Sequence, residues 1–320
     1  MAPHLATAPF AMSEGEGKNM IFSGFLIGLI FGALLQRSRM CFNSAFRDVL
    51  LFKDNYLLKM ALLAVAVQMI LVHLLAQMGL IALAPSGLNW VANIVGAYIF
   101  GLGMVLAGGC ASGVTYRAGE GLTTAWFAAI FYGGTAYAMR NGGVFSGVWK
   151  WFQGFGVAPF QYFDQTTGEG FSKLYLQKAG QTLPSVFGVN PWIVVVICAA
   201  LILWYVFGTQ TSERESKIGL KTAAVLLGAV GAFAWYFSEL VGRNYGMGIT
   251  GGWSNIWSVW LSGKPFSWDG LSVFGIVVGA AISAVMAKEF KLRMPRNPIT
   301  YVQVMGGGII MGFGATIGGG

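Results

Sequence analysis

Eight stretches of the chain are apolar almost without interruption, at 20–36, 57–84, 92–109, 122–139, 191–208, 221–241, 270–287 and 299–317, and charges, Gly or Pro separate them. The hydrocarbon core of a bilayer takes roughly 20 residues of helix. With no water there to satisfy backbone amides, a span of this composition has to be helical. The pattern therefore predicts eight helical spans. One interruption differs from the rest: GGCASGVTYRAGEG, Gly108 to Gly121, is polar and Gly-rich between two apolar runs. Irregular backbone at membrane depth is tolerated only inside protein or along a wet cavity, so this stretch reads as a broken helix beside a pathway.

Composition sharpens this picture. At 56% hydrophobic and only 10% charged over 320 residues, the chain is not an ordinary soluble enzyme. The 47 Gly, with 11 Trp, 24 Phe and 14 Met, suit close-packed membrane helices with aromatic belts. A net charge of +8 from so few ionisable groups speaks for orientation in a bilayer rather than nucleic-acid binding. Three loops hold the basic residues: 37–59 (Arg37, Arg39, Arg47, Lys53, Lys59), 209–221 (Arg214, Lys217, Lys221) and 288–296 (Lys288, Lys291, Arg293, Arg296). Placed inside, they put the N-terminus and the aromatic 140–190 stretch outside, provided that 92–109 and 122–139 form a dip returning outside. Residues 1–19, with His4, Glu14, Glu16 and Lys18, lack a long apolar core and cleavage site and read as a frayed tail, not a signal peptide.

An internal repeat follows from alignment at an offset of 211, with Gly101-Leu102-Gly103 over Gly312-Phe313-Gly314 and residues 96–109 over 307–320. On the assigned sides the first copy descends and the second rises. Span 20–36 likewise runs inward to a polar motif, and span 221–241 outward to another, GRNYGMGITGG at 242–252. The expected fold is all-α, a polytopic membrane protein with inverted-topology repeats and re-entrant broken helices, its substrate site near the midplane where mirror-related breaks meet. The alternative is a pair of Gly-rich packing helices. The chain divides into a tail (1–19), a first repeat (20–139), an extracytoplasmic insertion (140–190), a connecting span and loop (191–220) and a second repeat (221–320). The position opposite Cys110 falls just after Gly320, so the second repeat is expected to be truncated here.

Cys41, in RSRMCFNSAFRD, and Cys110, in GGCASG, each follow a break and precede a segment able to start a helix. A helix start presents unpaired N–H groups and partial positive charge, which favours an anion. Gly108, Gly109 and Gly113 let backbone approach an ion, and Ser112 adds a donor. A neutral thiol is a weak, soft donor that admits an ion without trapping it, which suits a sulfur-containing oxyanion. A small packing residue remains the plainer reading of a membrane Cys, and Cys198, in VVVICAA, is kept there. Arg117 lies two helical turns past Cys110, with Glu120 beyond it; a pathway role and a mutual structural ion pair both stay open. Arg47 and Asp48 are a second such pair or cytoplasmic anchors. Glu239 and Arg243 read as interface residues, not an ion gate, and His73 as a hydrogen-bonded packing residue. With no C-x-x-C, no Walker motif and no strand before the GxG, metal, ATP and dinucleotide sites have no support. A thiol oxidoreductase would want paired cysteines, and none are close in sequence.

The two Cys motifs and the late GFGATIGGG resemble the YeeE/YedE family of bacterial sulfur-transport membrane proteins. The resemblance implies a non-catalytic inner-membrane protein for thiosulfate uptake, with inverted repeats and half-helices. It implies that Cys41 and Cys110 pass the ion along by S–H hydrogen bonds, that Gly318, Gly319 and Gly320 lead to a third path cysteine, and that no cofactor is needed. It also makes a small TusA-like cytoplasmic sulfur carrier an expected partner. A selenium-compound transporter and a membrane thiol enzyme that transfers sulfur covalently are the rival readings.

Overall fold

The computed structural model describes residues 20–83, 89–142, 145–154, 184, 189–210 and 219–319. The N-terminal tail, most of the 140–190 insertion, Arg214 and Lys217 of the second basic loop, and Gly320 lie outside the described residues. Among the described residues twelve helices follow in order: α1 (Phe22–Ser38), α2 (Phe42–Phe52), α3 (Tyr56–Gln77), α4 (Trp90–Ala107), α5 (Ala111–Gly119), α6 (Thr123–Arg140), α7 (Ser146–Gln153), α8 (Pro191–Gly208), α9 (Leu220–Leu240), α10 (Ile249–Ser262), α11 (Trp268–Met286) and α12 (Ile299–Ile317). An isolated parallel β-bridge joins Leu122 to Arg293.

Seven stretches among the described residues are long and apolar enough to cross a membrane. The eighth expected span, α6, forms as a helix but is less apolar. It is wedged inside the protein, where Ala125, Ala128, Ala129, Tyr132, Gly133, Ala136 and Met139 are all buried. Within the first basic loop the segment after Cys41 does start a helix, residues 42–52, in which Phe42, Phe46, Leu50 and their polar neighbours form an amphipathic face. The polar motif at 242–252 also runs into a helix, α10, which hydropathy does not mark as a span.

Close helix crossings fix the directions. Gly24, Gly28 and Gly32 of α1 meet Trp268, Ser272 and Ile276 of α11 in turn, so these two helices run parallel. Gly228 and Gly231 of α9 meet Ala64 and Gln68 of α3, again parallel. Along α12, Gly307, Met311 and Gly314 face Ala107, Gly103 and Gly96 of α4, which is antiparallel, while Gly308 and Gly312 face Ala128 and Tyr132 of α6, which is parallel. The α4–α6 segment is thus a hairpin packed on α12, in the shape of the predicted dip. Such small-residue contacts let backbones approach where no hydrophobic effect drives helices together.

Charges gather at one end of the bundle. Arg39, just past α1, pairs with Glu120 past α5 at 2.6 Å and with Glu289 past α11 at 3.1 Å. Gln36 donates to the same Glu289 at 2.8 Å, and the Arg293 amide donates to Gly121 O at 3.0 Å. Lys59 is fully buried, and its Nζ donates to the carbonyls of Val206, Thr209 and Gln210 at 3.2, 2.7 and 3.1 Å. It closes the C-terminal end of α8, where the helix dipole favours a cation.

Candidate functional site

The site is built from two helix breaks. Arg39, at φ 56, turns the chain out of α1, and extended Cys41, at φ −151, starts α2. Gly108, at φ 71, ends α4 in a left-handed conformation that a side chain would resist. Cys110 then starts α5, its sulfur accepting from the Gly113 amide at 3.4 Å and lying 3.3 Å from Ser112 Oγ.

The two helix starts meet. Cys41 Sγ and Cys110 Sγ are 3.5 Å apart, with the residues 1% and 4% exposed, so neither thiol faces the surroundings of the bundle. Gly113 makes the contact possible, since a Cβ there would lie 2.5 Å from Cys41 Sγ and 3.4 Å from Cys110 Sγ. The sequence placed both thiols at helix starts; that they meet although 69 positions apart in the chain is new.

Arg117 does not pair with Glu120. Its Nη1 donates to Gly108 O at 2.6 Å, its Nη2 to Ser44 Oγ at 3.3 Å and its Nε to Tyr116 Oη at 3.3 Å. The guanidinium therefore ties the end of α4 to the first turn of α2, while Glu120 serves the Arg39 network. A half-open recess of about 240 Å³ lies below the break, lined by Gly108, Arg117, Thr124, Thr300 and Gln303 among others. The rest of the lining is mostly apolar, including Val105, Leu106, Val114 and Val304, and Thr124 and Thr300 belong to the first turns of α6 and α12. Gly109 packs on Val114 and the Arg117 side chain.

Gly318 and Gly319 are not brought to the thiols. Gly318 sits against Gly96 and Ala97, twelve residues up α4 from Gly108, or about 18 Å along a helix. The breaks that meet both lie in the first half of the chain, and the expected meeting of mirror-related breaks is not seen among the described residues.

Sequence reasoning also missed an ion pair at the other end. Arg243 Nη2 and Asp269 Oδ2 are 2.5 Å apart, with side chains 15% and 7% exposed, and the guanidinium stacks 4.1 Å from the Tyr245 ring and 4.9 Å from that of Trp268. Asp269 Oδ1 accepts from the Gly248 amide at 3.0 Å, so a carboxylate covers the start of α10. Arg243 thus has a mostly buried partner that nothing local marks, because Asp269 lies 26 positions away. Between this pair and the thiols, Met247 and Ile249 pack into a cluster with Leu35, Tyr116 and Ile276. Arg47 and Asp48 pair at 2.7 Å, and His73 Nδ1 lies 2.9 Å from Met69 O, as a packing residue should. Cys198 is partly exposed on α8, away from the breaks. No group of three or more metal-ligating side chains occurs among the described residues.

A helical membrane protein whose broken helices present thiols and helix starts to its interior has the make-up of an ion transporter. The chain belongs to the sulphur-transport family, whose pattern matches residues 37–320. It is 53% identical over 301 residues to the thiosulfate transporter TsuA of Spirochaeta thermophila, covering 94% of this chain and 88% of that one. It is 32% identical over 325 residues to the thiosulfate transporter TsuA of Escherichia coli, covering 94% and 85%.

Proposed function

We propose that this protein carries thiosulfate across the bacterial inner membrane into the cytoplasm, without chemical change, along a path through the Cys41–Cys110 contact. The observation that carries the path is the 3.5 Å meeting of two buried thiols at two helix starts. Helix starts attract the charge, and the thiols offer soft S–H donors to a soft terminal sulfur. Gly108, Gly109, Ser112 and Gly113 shape that constriction; Arg117 and the recess below it receive the ion on the side of the basic loops. Weak, multiple donors in series let the ion leave as readily as it enters. Glu120 acts through the Arg39 network that holds the ends of α1, α5 and α11 together.

The basic end is cytoplasmic and the N-terminus periplasmic on this reading, which rests on the Lys and Arg of the loops. A small TusA-like sulfur carrier would accept the ion there. Repeats 20–139 and 221–320 are inverted copies, supported by left-handed glycines at Gly108 and Gly319, 211 positions apart, each just past its helix. Gly318 and Gly319 belong to the second copy's break. The test is growth of a cysteine-synthesis-dependent host on thiosulfate as sole sulfur source. Wild type should restore growth, and Cys41→Ala and Cys110→Ala should each abolish it; unchanged growth in both removes the thiol path.

A further inference from the structure

The Cys41–Cys110 pair is also a site where the path can be closed covalently. Two sulfurs in contact at 3.5 Å need to approach only to the roughly 2.05 Å of a disulfide, and both side chains stand on short helix starts, not within long packed spans. Cys198, partly exposed on α8, is not among the hydrogen-bond partners of either sulfur. At 1% and 4% exposed, the two thiols are open only to a reagent that travels the proposed path. An anion that resembles two thiosulfates joined through sulfur fits that restriction best.

We infer that tetrathionate, the oxidised dimer of thiosulfate, converts Cys41 and Cys110 into a disulfide and shuts the path. One thiol, as its thiolate, attacks an inner sulfur of tetrathionate; the central S–S bond breaks, one thiosulfate leaves, and an R–S–S–SO3 adduct forms. The second thiolate attacks the cysteine sulfur of that adduct and expels a second thiosulfate. In sum, two thiols and one tetrathionate give one disulfide, two thiosulfates and two protons; the cysteines lose two electrons and tetrathionate gains them. The disulfide removes both S–H donors and cross-links the starts of α2 and α5. Uptake would then stop when the surroundings turn oxidising, and a thiol reductant would restore it. This inference shares the thiol constriction with the proposed function but does not need thiosulfate to hydrogen-bond to the thiols.

The experiment uses the full chain with Cys198→Ser, reconstituted in liposomes and exposed to tetrathionate, then assayed for labelled thiosulfate uptake, alkylatable thiols and a Cys41–Cys110 cross-linked peptide. The expected result is loss of both free thiols, appearance of the cross-link, at least a tenfold fall in uptake, and recovery with reductant. Cys41→Ser and Cys110→Ser chains should show no cross-link, and any residual uptake they retain should resist closure. Thiols that stay alkylatable, or a cross-link that leaves uptake unchanged, would overturn the inference. If both serine variants carry thiosulfate normally while the wild-type pair still cross-links and closes, the switch stands and the S–H path fails.

Discussion

A methyl group at position 113 would sit 2.5 Å from Cys41 Sγ, so the smallest possible substitution there reaches the thiol contact directly. Gly113→Ala should push the sulfurs apart and lower the initial rate of labelled thiosulfate uptake by about tenfold, the size of an effect near 1.4 kcal/mol. Membrane yield should stay near that of wild type, which separates the effect from misfolding. Lys59 illustrates the opposite kind of residue. It reads in sequence as one more cation in a basic loop, yet its ammonium is enclosed by three carbonyls at the end of α8. Lys59→Met should strand those acceptors and destabilise the protein by about 2 kcal/mol or more, seen as a lower melting temperature of the purified protein.

At the scale of elements, the half-helices matter more than the long spans. Hydropathy gives the long spans well, and 191–208 and 299–317 coincide with α8 and α12. It misses α2 and α10, because their amphipathic sequences lack an uninterrupted apolar run. It also cannot foresee which side chains settle on their starts. At α2 and α5 these are thiols, whereas at α10 it is the Asp269 carboxylate held by Arg243. Removing one member of a mostly buried pair leaves the other uncompensated, so Asp269→Ala should destabilise by about 3–5 kcal/mol. The double variant Asp269→Asn with Arg243→Gln should lose less, and thermal unfolding of the single and double variants reads the difference.

Across the whole molecule, the parallel pairs α1–α11 and α3–α9 and the antiparallel α4–α12 contact fix the relative direction within each pair. Loop charges then assign the two ends. Lys291→Cys should be protected from an impermeant thiol reagent in intact cells, and Lys264→Cys, between α10 and α11, should be labelled; the reverse pattern would invert the orientation. The helical class and the helix starts at Cys41 and Cys110 were legible because each depends on local sequence. The Cys41–Cys110 contact, the Arg39–Glu120–Glu289 network and the position of Gly318 beside Gly96 were not, since each depends on how distant spans pack.

The most direct measurement is saturable uptake, into liposomes holding the purified protein, of thiosulfate labelled in both sulfurs. The wild-type chain should deliver both labels inside in equal amounts, as intact ion, with no sulfur left on the protein, and Cys110→Ala should reduce that uptake at least tenfold. Delivery of one label only, with a persulfide remaining on Cys41 or Cys110, would contradict passive passage and make the pair a sulfur-transfer centre.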